Sequence, residues 1–350
     1  MVVTLNEEDP VTKLGRIAVS TPDGEQVRLV AVEPENSRVI DLAQAHRLVQ
    51  LRRSATVESA QRIAAAFFPS SLSSAIGAGP VFREQIELAL GAADDASLGI
   101  DDVDWRAAVD APVIRDGLTF EGHITNFFRD VVNTQPNPGI YVRPGYFKGS
   151  TGVMYGNNQE IPYPAYTEQL DYELEIGYVI GKPGRNLTPE NALDHVFGLT
   201  IFNDFSARDV QGFELGVGMG PQKCKDFAYG IGPWVTTLDE IGSIEGLRGQ
   251  VRVNGEVRSE TRVENFVYTP EELVAFVSIM DRLQPGDIIG SGTMGFGSGV
   301  ELGQFLQPGD VVELELEKVG TLRSPIAAER ETFPWWPEPK RNPHVEESAA

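Results

Sequence analysis

Three features are scarce in this chain, and each scarcity excludes a class of protein. Among its 350 residues there is a single cysteine, Cys224, so the chain cannot form an internal disulfide bond. Basic residues are also few, because 29 lysines and arginines stand against 51 aspartates and glutamates, which gives a formal net charge of −22. This acidic balance argues against nucleic acids and anionic membranes as partners, since both are bound by basic surfaces.

Long apolar runs are the third scarce feature. Although hydrophobic residues make up 41% of the chain, no stretch of them is long enough to cross a bilayer. The first residues also lack the basic region and the apolar core of a secretion signal. Together with the lone cysteine, which suits a reducing compartment, these observations predict a cytoplasmic protein.

The pattern of hydrophobic residues changes along the chain. Short strands are predicted near 15–19 and 27–32, helices near 42–66 and 82–93, and an acidic linker at 94–104. After about residue 113, strands separated by glycine and proline turns dominate, with short helices near 189–194 and 270–280. This predicts an α+β fold that is mainly β. The predicted parts are a flexible N-terminus (1–11), a small N-terminal α+β domain (12–105), a catalytic β domain (106–328) and a proline- and acid-rich, partly disordered tail (329–350).

The most informative segment is an acidic strand with two glutamates two positions apart, Glu173 and Glu175. Within 170–180, apolar residues alternate with acids, which predicts a β-strand with one apolar and one acidic face. The two faces consist of Leu170, Tyr172, Leu174 and Ile176 on the core side, and Asp171, Glu173 and Glu175 on the other. Crowded carboxylates repel each other unless a cation compensates, and a hard divalent cation bound by oxygen ligands is the usual solution. Taken alone, the segment also fits the solvated face of an antiparallel strand.

Other candidate residues lie on either side of this strand. Asp204 comes at the end of a second apolar run, which is a suitable place for a third metal ligand. Arg208 and Gln211 have the spacing of one face of a helical turn, and Lys225 is one of few lysines in an acidic chain. Upstream, His123 lies among carboxylates and is the best candidate for a catalytic histidine.

Four motifs occur in a fixed order. Asp116 and His123 fall within Arg-Asp-x4-Glu-x-His, which is followed by Asp-Tyr-Glu-x-Glu around Glu173 and by Asn-Asp-x-Ser-Ala-Arg-Asp around Asp204. Gly-Ser-Gly-Thr at 290–293 completes the series. Over about residues 113–326 this order resembles the fumarylacetoacetate hydrolase family. The resemblance implies a mixed β-sandwich roll around a metal site, usually in a homodimer.

The resemblance also implies roles for individual carboxylates. Those that match metal ligands are Glu173, Glu175 and Asp204, with Asp116 as a fourth. The implied ion is Mg²⁺, with Ca²⁺ or Mn²⁺ as alternatives. Asp171 and Asp209 belong to the motifs but not to the ligand set, so structural roles are expected for them.

The remaining matches concern catalysis and substrate binding. His123 matches the general base that activates water, and Glu301 matches the carboxylate that orients this histidine. The donors that match positions near a developing oxyanion are Arg208, Gln211 and Lys225. Thr293 matches a contact to the substrate carboxylate, and the loop with Tyr146 and Lys148 partly resembles a substrate loop of the family.

The activity implied by the resemblance is that of a divalent-metal-dependent hydrolase. It would cleave a C–C bond in an acylpyruvate-type, fumarylacetoacetate-like 2,4-dioxo acid, so its partner would be a small anionic 2-oxo acid. Isomerase, decarboxylase, hydratase and ureidoglycolate-type lyase chemistry on the same metal centre are alternatives. A hypothesis from a different functional class is a non-enzymatic protein that binds dicarboxylates through the metal. The presence of both His123 and Glu301 favours an enzyme, because binding alone needs no base.

Two further patterns indicate different chemistry but are weaker. Gly290 to Gly295 fits the dinucleotide-binding pattern G-x-G-x-x-G, yet another strand is expected after it in place of a helix. Cys224, next to Lys225, could act as a nucleophile served by His123. An incidental buried thiol is the favoured interpretation of this cysteine.

Overall fold

The computed structural model describes residues 13–22 and 24–341, so the predictions for the N-terminal segment 1–11 and for the last residues of the tail lie outside the described residues. The strands are β1 Lys13–Thr21, β2 Gly24–Glu33, β3 Arg38–Asp41, β4 Ser97–Gly99, β5 Asp104–Trp105, β6 Ile114–Gly117, β7 Tyr146–Gly149, β8 Met154–Tyr155, β9 Ile161–Pro164, β10 Leu170–Asp171, β11 Leu174–Ile180, β12 Val196–Asp204, β13 Ser206–Ala207, β14 Tyr229–Thr237, β15 Arg248–Val253, β16 Glu256–Arg262, β17 Ile288–Gly290, β18 Val311–Leu316 and β19 Gly320–Glu331.

The α-helices are fewer than the strands in the described chain. The α-helices are α1 Leu42–Arg52, α2 Val57–Phe67, α3 Leu72–Ile76, α4 Pro80–Leu90, α5 Glu121–Asn126, α6 Pro189–Ala192, α7 Arg208–Val217, α8 Leu238–Ile241 and α9 Pro270–Val277. A π-helix, Phe127–Val132, continues directly from α5. Single 3₁₀ turns are formed by Pro34–Asn36, Asp94–Ala96, Pro138–Tyr141, Leu193–His195, Lys223–Lys225 and Val300–Leu302. Among the described helices, none has the length and the apolar composition that a membrane span requires.

Two main sheets organise the strands. The large sheet has the order β4-β3-β2-β1-β14-β12-β11-β17-β6-β7, with β5 paired to β1 and β8 paired to β14. The second sheet has the order β16-β15-β18-β19-β9, and β10 and β13 form a separate pair. Most neighbours are antiparallel, but β17 runs parallel to β6. The prediction of an α+β fold that is mainly β is therefore confirmed.

The large sheet is covered on both faces. On one face, Leu174 and Tyr178 of β11 belong to the same buried cluster as Leu314 of β18, so the two sheets pack as a sandwich. On the other face, Val179 and Phe202 belong to a cluster that also contains residues of α1 and α4. Every residue of β11 is buried as a consequence. The interpretation in which the acidic side chains face solvent is therefore wrong.

The large sheet runs through the predicted boundary between the N-terminal and catalytic domains. Strand β1 pairs with β14, and Lys13 lies opposite Thr236. The two segments therefore share one sheet, while the division into domains stays a prediction. The homodimer implied by the resemblance also stays a prediction.

Two local predictions in the N-terminal half are wrong. The helix expected near 42–66 is two helices, because Ser54 adopts a left-handed φ of 69° and the Thr56 side chain caps α2 by accepting from the Ser59 backbone N–H. The acidic segment expected to be a linker contains β4 and β5, which pair with β3 and β1. At the other end of the described chain, β19 continues to Glu331, and the prediction of a partly disordered tail stays a prediction.

The acidic segment itself is not one strand. Strands β10 and β11 are separated by Tyr172 and Glu173, whose backbone N–H groups are held by side chains. Tyr172 N donates to Asp171 Oδ1 at 2.8 Å, and Glu173 N donates to Asn203 Oδ1 at 3.0 Å. These side-chain acceptors replace the ladder partners that a continuous strand would use. Because β11 begins at Leu174, Glu173 is not part of the strand whose alternating side chains include Glu175.

Candidate active site

Three carboxylates meet at one end of the large sheet. Asp116 lies on β6, Glu175 on β11 and Asp204 at the last residue of β12. Because β11 and β12 are antiparallel, the start of one lies beside the end of the other, and Leu174 pairs with Asn203. One carboxylate oxygen from each of the three lies within 4.8 Å of the others, and all three side chains are buried. The fold thus brings three of the four predicted metal ligands together.

Gly290, the last residue of β17, allows these carboxylates to approach across an intervening strand. It pairs with Asp116 on one side and with Gly177 on the other. A Cβ atom here would lie 2.2 Å from Asp116 Oδ1 and 2.9 Å from Glu175 Oε2, so any other residue would displace them. In the sequence, Gly290 stands out only as part of a dinucleotide-like motif and a family motif. A glycine that ends a buried apolar strand was the available signal.

Burial disfavours ionisation of all three carboxylates, and negative charge on neighbouring carboxylates adds to the effect. Burial is the largest cause of the pKa shift at each of them. The pKa of Asp116 is raised, and the pKa values of Glu175 and Asp204 are raised well above their ordinary range. The charge of Asp116 adds to the rise at both neighbours. In addition, Oδ1 of Asp116 and Oδ1 of Asp204 have no hydrogen-bond partner within the described chain. A hard divalent cation would satisfy these oxygens, so the residues present fit the implied metal.

Lys225 lies between this triad and the fourth predicted ligand, Glu173. Its Nζ donates to Glu173 Oε2 at 2.5 Å, to Ser206 Oγ at 2.7 Å and to Asp204 Oδ2. Burial disfavours the ammonium ion, but Asp204 and Glu173 outweigh this effect and raise the pKa of Lys225 above its ordinary value. Burial likewise opposes ionisation of Glu173, yet Arg208 and Lys225 hold its pKa well below the ordinary value. Glu173 is therefore bonded to two protein cations, and Asp204 of the triad shares one of them, Lys225.

Arg208, the first residue of α7, is the second cation that binds Glu173. Its Nη2 donates to Glu173 Oε1 at 2.7 Å, and its Nε donates to Asp171 Oδ2 at 2.7 Å. The remaining donor, Nη1, reaches Gln211 Oε1 at 2.9 Å, as the helical spacing of the two residues predicts. Arg208 is buried and fully engaged, so it fixes the position of Glu173.

The two motif aspartates expected to be structural hold backbone segments in place. Asp171 accepts hydrogen bonds from the backbone N–H groups of Gly299 at 2.8 Å and Val300 at 3.0 Å. Asp209 accepts from Thr167 Oγ1 at 2.6 Å. The Asp171 contacts fix the segment that carries Glu301, one residue further along.

His123 and Glu301 form a close pair. His123 lies on α5, and its Nδ1 is 3.0 Å from Glu301 Oε2. Glu301 also accepts from Asn126 Nδ2 at 2.9 Å and from Ser298 Oγ at 2.8 Å, so its orientation is fixed. Burial opposes its ionisation, but His123, Asn126 and the Phe296 backbone N–H lower the pKa of Glu301. The other ring nitrogen, Nε2, lies 4.0 Å from Glu173 Oε1.

A cavity of about 390 Å³ connects these groups. The predicted site residues on its lining are Asp116, His123, Tyr146, Glu173, Glu175, Arg208, Gln211, Lys225 and Thr293. Asp204 and Glu301 are not on the lining, but they contact Lys225 and His123, which are. The fold thus assembles the predicted set from segments spread over about two hundred residues.

Lys148 is the exception among the predicted substrate contacts. It lies on β7 with Tyr146, but its Nζ donates to Asp281 Oδ2 at 3.2 Å, and its side chain is 57% exposed. Asp281 is also bonded to Arg115, so Lys148 belongs to a charged group outside the cavity. The structure therefore does not bring Lys148 to the cavity, and its role in substrate binding stays a prediction. Thr293, in contrast, lies 3.4 Å from Glu175 Oε1 and reaches the cavity.

Neither the G-x-G-x-x-G pattern at 290–295 nor Cys224 forms a site of its own. After Gly290 no helix begins until the 3₁₀ turn at Val300–Leu302 within the described residues, which does not match a dinucleotide fold. Cys224 is buried and does not line the cavity. Burial is the main cause that raises the pKa of its thiol, so a thiolate is disfavoured.

Comparison with known proteins identifies the family of the chain. The family model described as the C-terminal part of fumarylacetoacetate (FAA) hydrolase matches residues 112–327, which is more than half of the chain. The chain belongs to the fumarylacetoacetate hydrolase family. A relative in this family, an uncharacterised protein of Staphylococcus epidermidis, is 33% identical over 256 residues, which cover 70% of this chain and 81% of that protein.

Solved structures of fumarylacetoacetate hydrolase family proteins share the fold. The fumarylacetoacetate hydrolase of Exiguobacterium antarcticum is 25% identical with a TM-score of 0.68, over 91% of this chain and 100% of its own. The maleylpyruvate hydrolase of Sphingobium sp. SYK-6, solved with manganese(II) and pyruvate, is 22% identical with a TM-score of 0.65, over 90% and 98%. A 2-hydroxyhepta-2,4-diene-1,7-dioate isomerase of Mycobacterium marinum is 23% identical with a TM-score of 0.61, over 90% and 98%. The same fold is thus found in hydrolases and in an isomerase.

Proposed function

We propose that this protein is a divalent-metal-dependent hydrolase that cleaves the C–C bond of an acylpyruvate. The observation that carries the proposal is the His123–Glu301 pair beside the cavity that Asp116 and Glu175 also line. A protein that only binds a dicarboxylate has no use for an oriented base. The pyruvate found with the maleylpyruvate hydrolase supports the choice of an acylpyruvate.

The metal would be held by Asp116, Glu175 and Asp204. When bound, a divalent cation supplies positive charge that stabilises an enolate and binds the oxygens of a 2-oxo acid. Mg²⁺ is the proposed ion, and Mn²⁺ or Ca²⁺ would suit the same oxygen ligands. Glu173 would remain paired with Lys225 and Arg208, which keeps their positive charge at the cavity wall.

His123 would act as the general base. The carboxylate of Glu301 next to Nδ1 favours the tautomer that carries its proton on Nδ1, which leaves the lone pair of Nε2 free to accept a proton. Nε2 then takes a proton from water, and the water oxygen attacks the distal carbonyl carbon. The protonated ring is stabilised by Glu301, whose pKa is lowered by the same contact.

Lys225 would stabilise the negative charge that develops on the attacked carbonyl oxygen. A preorganised donor in such a position contributes about 3 kcal/mol to transition-state stabilisation. Collapse of the tetrahedral species breaks the C–C bond, and the electron pair leaves with the pyruvate enolate. The enolate accepts the proton held by His123, so one water and one acylpyruvate give one carboxylic acid and one pyruvate.

Metal-dependent pyruvate release is the direct test. We expect pyruvate to form from a simple acylpyruvate with Mg²⁺ present, and the rate to fall at least about a hundredfold with EDTA, because charge stabilisation by the ion is worth several kcal/mol. A coupled lactate dehydrogenase assay measures the release. Re-addition of Mg²⁺ is the control and should restore the rate.

The negative outcome also has a defined meaning. A folded, metal-loaded protein that releases no pyruvate would contradict C–C hydrolysis. In that case, conversion of 2-hydroxyhepta-2,4-diene-1,7-dioate without cleavage would indicate isomerase chemistry, as in the Mycobacterium marinum protein. Release of CO₂ would indicate a decarboxylase.

Cys224→Ser is expected to keep kcat/KM of pyruvate release within about twofold, because the thiol is buried outside the cavity lining. The steady-state assay above measures it, with circular dichroism as the control for folding. If kcat/KM fell more than about a hundredfold in a folded variant, the thiol would again be a candidate nucleophile.

A further inference from the structure

We infer that the acyl side group of the substrate is apolar and carries no carboxylate. This inference rests on the proposed function and names the substrate class of the same site. The charged side chains Asp116, Glu173, Glu175, Arg208 and Lys225 of the cavity lining belong to the carboxylate cluster and its bonded cations. Much of the remaining wall consists of the apolar side chains of Leu118, Ile124, Phe127, Phe128, Ile140 and Leu215.

The apolar wall begins next to the proposed base. The Phe127 ring centroid is 6.1 Å from the His123 ring, and the Phe128 ring stands edge-on to Phe127 at 5.7 Å. Ile124, the residue after His123, is buried. The group attached to the carbonyl that His123-activated water attacks would therefore meet aromatic and aliphatic surface. Contacts of this kind stabilise a hydrocarbon group in proportion to the area that they remove from water.

The other end of this wall reaches the surface. Leu118, Ile140 and Tyr146 also line a neighbouring surface cavity, so they mark the entrance. Leu215, on α7, contributes to the cavity from another element and is 48% exposed. The cavity lining thus has apolar side chains both beside the base and at the entrance.

The positive charges on the cavity lining belong to the end of the cavity where the reaction is proposed, because both cations are bonded to the carboxylates there. Arg208 is bonded to Asp171 and Glu173, and Lys225 is bonded to Glu173 and Asp204. Arg143 lines the neighbouring surface cavity but not this one. A second carboxylate on the substrate would lose hydration against the apolar wall without an ion-pair partner on the lining, which is costly.

Two substrates with the same number of carbons test the inference. Pentanoylpyruvate ends in a methyl group, and glutarylpyruvate has a carboxylate at the same position. We expect kcat/KM for pyruvate release to be at least about tenfold higher for pentanoylpyruvate, since even one unfavourable polar burial is worth that factor. An equal or higher value for glutarylpyruvate would overturn the inference while leaving the hydrolase proposal intact.

Leu215→Arg supplies the missing cation at a half-exposed position on α7 where the fold tolerates it. We expect the preference for pentanoylpyruvate to fall at least fivefold in this variant. Val217→Arg, on the same helix and 58% exposed but not on the lining, is the matched control and should leave the preference unchanged. An equal change in both variants would mean that surface charge, not the wall, sets the preference.

A binding measurement separates this inference from the proposed reaction. Calorimetric titration of the Mg²⁺-loaded protein compares 2-oxooctanoate with 2-oxooctanedioate, neither of which can be cleaved to pyruvate. At least tenfold tighter binding of the monoacid would support the apolar wall even if no acylpyruvate were hydrolysed. Tighter binding of the diacid would overturn it.

Discussion

Replacing His123 with alanine is expected to lower kcat for pyruvate release by about a thousandfold and to leave Mg²⁺ affinity unchanged. General-base catalysis contributes about a hundredfold to ten-thousandfold, and the near-complete hydrogen bonding of Glu301 indicates that this pair is built for one orientation. His123 does not belong to the carboxylate triad, so the metal site should survive. Steady-state kinetics gives kcat, and calorimetry with Mg²⁺ gives the affinity.

His195→Ala is the matched control, because this histidine does not line the cavity and its ring contacts the Lys182 carbonyl. Its kcat should stay within about twofold of the wild-type value. Added imidazole should restore part of the activity of His123→Ala, since the deleted ring leaves space beside Glu301. A His123→Ala variant with more than a tenth of the wild-type kcat would exclude the histidine as the base.

The fold class and most of the site were predictable because they depend on local patterns. Alternating or continuous apolar runs predicted the strands, and the carboxylates at the ends of these runs marked where the site would form. Asp116, Glu175 and Asp204 lie far apart in sequence, but each sits at the same end of the large sheet. Motif order was sufficient to group them.

What could not be predicted depends on partners from distant segments. The break between β10 and β11 requires the Asn203 side chain as an acceptor for Glu173 N. The pairing of Glu173 with Arg208 and Lys225 distinguishes it from Glu175, although the two have the same residue type and lie in one motif. The role of Gly290 was hidden for the same reason, since the sequence does not show which carboxylates face it.

Because Glu175, unlike Glu173, belongs to the carboxylate triad, its replacement is expected to have a large effect on Mg²⁺ binding and activity. Glu175→Gln should weaken Mg²⁺ binding by at least about a hundredfold and abolish pyruvate release, because the variant removes a charged oxygen from the triad. Glutamine matches the size of the glutamate, and the Gly292 N–H bonded to Oε2 can still find an oxygen acceptor. At a Mg²⁺ concentration of about a hundred times the wild-type Kd, the ion stabilises the wild type by about 2.7 kcal/mol and this variant by about 0.4 kcal/mol. Thermal unfolding with and without Mg²⁺ measures the difference.

Without metal, neutralising the two glutamates should change stability in opposite directions. The pKa of Glu175 is raised, so its ionisation opposes folding above its unfolded pKa, and Glu175→Gln should unfold at the same or a higher temperature than the metal-free wild type. The pKa of Glu173 is lowered, so its charge contributes stability above its unfolded pKa. Glu173→Gln leaves the buried Arg208 and Lys225 with less compensation, a loss of about 3 kcal/mol near neutral pH. If both variants lost stability equally in EDTA, the two carboxylates would have the same role, and the division between a metal triad and a cation-paired Glu173 would be wrong.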